Sequence, residues 1–219
     1  MNPEAASSKR VLEPIERISE VLFGLIMVLT FTGSLSVAEA GRDDVRTMLI
    51  GALGCNLAWG LIDGIMYLMG CLSEQARRIR TLLAVRNAAN PEEAHRVIAG
   101  ALPPAVVPAL QSEEFEKVRL HLGQLPDPAT RPRLHGQDWR GALGVFLLVF
   151  LSTFPVVLPF VFMHETRLAL RVSNGIGIVM LFLTGYAFGR CAGYRPWVMG
   201  LSMVVLGSLL VGITIALGG

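Results

Sequence analysis

The chain alternates between long apolar runs and one extended polar stretch. Five runs approach the length of a bilayer span, since about 20 helical residues cross a hydrocarbon core of about 30 Å. They fall at residues 18–40, 47–71, 141–163, 172–192 and 197–217, and in the fourth Arg171 and Arg190 confine the uninterrupted apolar part to 172–189. Residues 72–140 are broken at Asn90, Pro91, Pro103, Pro104, Pro108 and from Pro126 to Pro132, where helices stop. Three short helices fit between the breaks. The first, about 73–89, carries Ala76, Ile79, Leu82 and Leu83 on one side and continues the second span. The second, 91–101, has Pro91 in its first turn, Glu92 and Glu93 at its positive end and Val97 on its apolar face. The third starts at the cap Ser112 and packs through Phe115, Val118 and Leu122. The pattern predicts an all-α integral membrane protein of five transmembrane helices, with a small helical cytoplasmic domain between helices 2 and 3. Its divisions are an N-terminal cytoplasmic segment 1–17, helices 1 and 2 in 18–71, the cytoplasmic domain 72–140, and helices 3 to 5 in 141–219.

Composition agrees with a lipid solvent: 53% of residues are hydrophobic, 16% are charged and the mean hydropathy is +0.55, values far from those of soluble domains. Basic residues set the orientation. With the N-terminus in the cytoplasm, fifteen Lys and Arg lie on the inner side and only Arg42, Arg46, Arg167 and Arg171 on the outer side. Ala38-Glu39-Ala40 has the form of a signal-peptide cleavage site, but the acids Glu4, Glu13, Glu16 and Glu20 oppose the positive start such a peptide needs. The run 18–40 is therefore expected to be a permanent helix. Seventeen Arg against two Lys suit a GC-rich bacterial genome and so a bacterial inner membrane. No basic stripe with interleaved aromatics points to nucleic acid. Cys55, Cys71 and Cys191 form no C-x-x-C pair, so neither a disulfide framework nor a zinc site is expected.

Polar residues within the spans carry the chemistry, because an ionisable group at a helix centre costs about 2.5–3.5 kcal/mol on insertion scales. Asp63 lies about 12 Å along its helix from the inner end of the span. Asn56, seven residues earlier, shares its face, and Gly60, Gly64 and Tyr67 complete a polar, small-residue seam. In the first helix Glu20 and Met27 share a face, with Met27 expected level with Asp63, Glu20 near the inner mouth and Glu39 near the outer one. A buried carboxylate can exchange a proton for a cation; Glu20 and Glu39 are equally readable as snorkelling helix ends. Gly60-x-x-x-Gly64 and Gly185-x-x-x-Gly189 fit close helix packing, and Pro155 and Pro159 are expected to bend the third span.

In the cytoplasmic segment, Glu92 and His95 share a helical face, as do Glu114 and His121, so two helices could offer oxygen and nitrogen ligands to a divalent cation. The competing reading is a solvated surface, since acids in a first helical turn are expected from the dipole alone.

The order of these features resembles the vacuolar iron transporter family. The resemblance rests on Ile18-Ser19-Glu20-Val21-Leu22-Phe23-Gly24, on Asp63-Gly64-Ile65-Met66-Tyr67-Leu68-Met69-Gly70, on Pro155-Val156-Val157-Leu158-Pro159 and on the glycine-rich run 200–212. It implies a homodimer that moves Fe²⁺ or a related ion such as Mn²⁺ out of the cytosol in exchange for protons, with no tightly bound cofactor. It sets Glu20 where members carry an Asp in the first helix and Met66 or Tyr67 near their second-helix Met, and it implies metal collection by cytoplasmic acids, here read as Glu92, Glu113, Glu114 and Glu116 with His95. With the residue reading above, Glu20 and Asp63 are the expected exchanging carboxylates and Met27 or Met66 the expected softer ligands. Cys71 stands where members usually carry Glu, and the segment 72–140 has ten basic against eight acidic residues. An alternative function is therefore a non-transporting assembly module of the same fold, binding anionic lipid or a partner protein through that segment.

Overall fold

The computed structural model describes residues 14–33, 42–128 and 131–216. Glu39 and the Ala38-Glu39-Ala40 run lie outside the described residues. Among those described the chain is helical, with no strand: α1 (Pro14–Gly33), α2 (Arg42–Arg86), α3 (Pro91–Ala101), α4 (Ser112–Gln124), α5 (Gly136–Ser152), α6 (Phe154–Phe162), α7 (Thr166–Ala192) and α8 (Pro196–Ala216), with a 3₁₀ turn at Val107–Ala109. It divides into two compact units, one of Met1–Tyr67 with Trp139–Gly219 and one of Leu68–Asp138.

Val45–Arg86 of α2 and the whole of α7 are long and apolar enough to cross a membrane. The α5 and α6 pair, bent by 44°, makes a third span if it is one broken crossing. The other two apolar runs form shorter apolar helices, Ile18–Thr30 and Pro196–Leu210. The break lies at Thr153, two residues before Pro155, whose ring removes a backbone donor. The core of the first unit gathers Leu25, Val28 and Leu29 of α1, Val156 and Val157 of α6, and Leu181 of α7.

Glycines let the backbones approach. A methyl group added at Gly185 would lie 2.6 Å from the Met199 carbonyl oxygen and one at Gly189 would lie 2.8 Å from Pro196 Cα, so the Gly185-x-x-x-Gly189 stripe is where α8 packs on α7. Gly193, at φ 75°, ends α7 in the left-handed region, and its N–H donates to the Gly189 carbonyl. The chain then reverses at once into α8.

The second unit holds the end of α2 with α3 and α4 around Val85, Ala94 and Ile98, flanked by Val97, Phe115 and Leu122. The expected helix at 91–101 forms with those bounds, and Asn90 caps it by accepting from Glu93 N at 2.8 Å. The cap of α4 is Gln111, with Ser112 already inside the helix, because the Glu114 carboxylate reaches back to Gln111 N at 2.8 Å. Ile79, Leu82, Val97 and Phe115 are half-buried as expected, whereas Val118 is 40% exposed. Arg86, the last residue of α2, turns its guanidinium onto the carbonyl end of α4. It donates to Leu122 O from Nε and Nη2, each at 3.2 Å, and also to Leu125 O, with Nη1 on Asp127 Oδ1 at 2.9 Å. This closes orphan carbonyls at a helix C-terminus.

Candidate functional site

The seam read from α2 is a packing line along α5. A methyl group at Gly64 would lie 3.3 Å from the Ala142 carbonyl oxygen, and one at Gly60 would lie 3.1 Å from the Phe146 ring. Conversely Gly141 leaves room for the Tyr67 ring, whose Cε1 would lie 2.6 Å from an added methyl. The partner on α5 falls from Phe146 to Ala142 to Gly141 as α2 advances from Gly60 through Gly64 to Tyr67, so the two helices run antiparallel.

Asn56 closes the far end of this seam. It is fully buried, and its Nδ2 donates to Phe150 O at 3.0 Å and to Thr153 Oγ1 at 2.6 Å. A carbonyl can only accept, so the amide orientation is fixed by chemistry. Thr153 Oγ1 in turn donates to Phe150 O at 3.0 Å. The Asn56 side chain thus pins the bend between α5 and α6. Its Oδ1, also buried, has no hydrogen-bond partner and lies 3.7 Å from where a methyl at Gly24 of α1 would stand. Asp63, on the same face and 8% exposed, has its Oδ2 buried without a hydrogen-bond partner. A buried polar atom left unpaired costs about 1–3 kcal/mol, more when charged, so both oxygens call for a reason.

Three contacts fix α1 against α2. Cys55 Sγ lies 3.2 Å from Met27 Sδ, Asn56 faces Gly24, and the Phe23 and Trp59 rings are 6.2 Å apart. Continuing this antiparallel register sets Asp63 opposite residues 17–19. Met27 is therefore not level with Asp63, as expected from sequence, but about 12–15 Å away along the axis, while Glu20 is within about 5 Å of that level. The expectation erred because helix periodicity gives faces and not the relative shift of two helices. Glu20 is half-buried, with its Oε2 shielded from solvent. Met66, 63% exposed, is turned away from the seam, since it follows Asp63 by three residues on the side where Ile62 and Ile65 are also exposed. It does not join Asp63 within the chain.

The expected acids of the second unit have other employment. Glu116 accepts from Arg119 Nε at 2.8 Å and from Arg119 Nη2 at 2.6 Å, and lies 3.1 Å from His95 Nε2. The hydrogen bond from Arg119, with a smaller contribution from His95, lowers its pKa to about 2. His95 thus pairs across helices with Glu116 and not with Glu92 on its own face. Glu114 is a capping residue and Glu93 accepts from Ala89 N. Glu92 and Glu113 are exposed. Among the described residues no three His, Cys, Asp or Glu side chains gather as a metal-ion cluster. Glu74, held below the usual carboxylate range first by its hydrogen bond from Arg78 and then by Arg77, edges a cavity of about 650 Å³ that Thr81, Leu82, Val97 and Leu122 also line.

Comparison with known proteins adds two findings. The model of the VIT family matches residues 68–219. The protein described as vacuolar iron transporter cccA, from Arthroderma benhamiae (strain ATCC MYA-4681 / CBS 112371), is 26% identical over 220 residues, covering 91% of this chain and 78% of that protein. The family match begins at Leu68, so Asn56 and Asp63 precede it.

Proposed function

This chain belongs to the VIT family, and from that premise we propose that it moves a divalent metal cation, Fe²⁺ or Mn²⁺, out of the cytosol in exchange for protons. The observation that carries the reading is Asp63. It is a carboxylate within a helix apolar enough to span a membrane, and its Oδ2 is sealed from solvent with no hydrogen-bond partner. An ionised carboxylate in that setting is costly unless a proton or a cation neutralises it, which suits a group that exchanges one for the other. The register of α1 on α2 supports Glu20 as the second exchanging group, since it comes nearly level with Asp63. Carboxylates suit Mn²⁺ and Fe²⁺. In this reading the chain crosses the membrane five times, with α5 and α6 forming one bent crossing, the N-terminus in the cytoplasm and Leu68–Asp138 on the cytoplasmic side. Two carboxylates are few ligands for a dication, which favours a two-fold homodimer.

The test reconstitutes the wild type and Asp63→Asn at matched orientation. A Mn²⁺ gradient is imposed, and internal pH is recorded with metal uptake. Asp63→Asn keeps size and hydrogen bonding but loses the exchangeable charge, so coupled proton flux is expected to fall to the level of protein-free liposomes. Equal flux in the variant would remove Asp63 from the mechanism.

A second reading, a non-transporting module binding anionic lipid, is favoured by the cavity that carries Arg77 and Arg78 beside Leu82 and Val97. It predicts no metal-driven flux in either protein.

A further inference from the structure

Met27 and Cys55 are the one pair of soft donor atoms that α1 and α2 bring into contact among the described residues, Sγ to Sδ at 3.2 Å. They lie two to three helical turns from Asp63, about 12 Å along α2, and so form a place separate from the carboxylates. Beside them the buried Asn56 Oδ1, without a hydrogen-bond partner, points to the same α1–α2 crossing at Gly24. We propose that Met27 Sδ and Cys55 Sγ form a binding site for a soft monovalent cation of the Cu⁺ type, bridging α1 to α2, with Asn56 Oδ1 turned toward its charge.

Three physical arguments select that ligand. Thiolate and thioether prefer soft ions, whereas Mn²⁺ prefers oxygen. Binding replaces the thiol hydrogen with metal: Cys55–SH and M⁺ give Cys55–S–M held by Met27, and one proton leaves to solvent. The product is neutral. A divalent ion on the same pair would leave a net positive charge in an apolar environment, which is costly. The fit needs little movement. A linear S–M–S unit separates the sulfurs by about 4.6 Å, taking the zinc–thiolate bond of about 2.3 Å as a guide, and the three rotatable bonds of Met27 can supply the difference from 3.2 Å.

Ag⁺, a redox-inert member of this class, is the probe. The full chain carrying Cys71→Ser and Cys191→Ser, which leaves Cys55 as the sole thiol, is titrated with Ag⁺ in mild detergent. The expected result is one Ag⁺ and one released proton per chain, with two sulfurs around silver by X-ray absorption and no displacement by excess Mn²⁺. Cys55→Ser is expected to abolish binding. Met27→Leu removes one of the two ligands and is expected to weaken it by at least about 10-fold, the lower end of what losing even an outer supporting group costs at a metal site. A single sulfur around silver, displacement by Mn²⁺, or unchanged affinity in Met27→Leu would overturn the proposal. The absorption measurement needs no Met27 variant, so misfolding of one cannot shelter it. Because the readout is binding, its outcome is separable from that of the Asp63→Asn flux comparison.

Discussion

Asn56 spends both hydrogens of its amide on the bend of another helix, and this makes it the residue whose loss is most sharply defined. Asn56→Ala removes two donors from Phe150 O and Thr153 Oγ1, and Thr153→Val removes one of the acceptors. Each change is expected to destabilise by about 1–3 kcal/mol. Because the two side chains are bonded to each other, the double variant should lose at least about 0.5 kcal/mol less than the sum. Unfolding in mixed micelles measures the cycle, and strict additivity would mean that Asn56 does not hold Thr153. Asn56 and Asp63 could be singled out from sequence because a seven-residue spacing places them on one face and polarity is expensive in a span. The His95–Glu116 pair could not be foreseen in the same way. Its members sit on different helices, and which acid meets which histidine depends on how α3 and α4 pack.

At the scale of elements, the same glycine pattern has two consequences within α7. A methyl group at Gly185 would lie 2.6 Å from the Met199 oxygen and 3.0 Å from Gly200 Cα, both backbone atoms of α8, whereas nothing lies within 4 Å of a methyl group at Gly175. Backbone cannot rotate aside, so Gly185→Ala should push α8 off α7 and cost about 1–3 kcal/mol. Gly175→Ala should be neutral or stabilising by up to about 1 kcal/mol, from helix propensity alone. Thermal unfolding of the two variants checks the contrast, and equal effects would dismiss the close packing. These helices were legible because their punctuation is local. Asn90-Pro91 starts α3, and Pro155 stands beside the break at Thr153. The relative shift of α1 and α2 was not legible, since no local signal reports it; the Met27–Cys55 contact does.

For the whole molecule, the apolar runs and the basic residues make a joint prediction that neither unit makes alone. If the polar segment 72–140 faces the cytoplasm, a cysteine placed at Glu92 and one placed at Arg167 must lie on opposite sides of the membrane. In a background with Cys55, Cys71 and Cys191 replaced by Ser, a membrane-impermeant maleimide should label Glu92→Cys in inside-out vesicles and Arg167→Cys in right-side-out vesicles. Labelling of both in the same preparation would overturn the orientation. Both positions are exposed, so failure to react cannot be assigned to burial within the chain.

The clasp of Arg86 also has a meaning in time. Its acceptors at Leu122, Leu125 and Asp127 lie 36 to 41 residues further along the chain. At a synthesis rate of about 5–20 residues per second, the guanidinium is made roughly 2–8 s before the carbonyls it binds. The last turn of α2 therefore emerges from the ribosome without this anchor and acquires it only once α4 has followed. Slowing translation between codons 87 and 127 would lengthen the interval in which that end of the helix is unclasped and open to a chaperone or a protease.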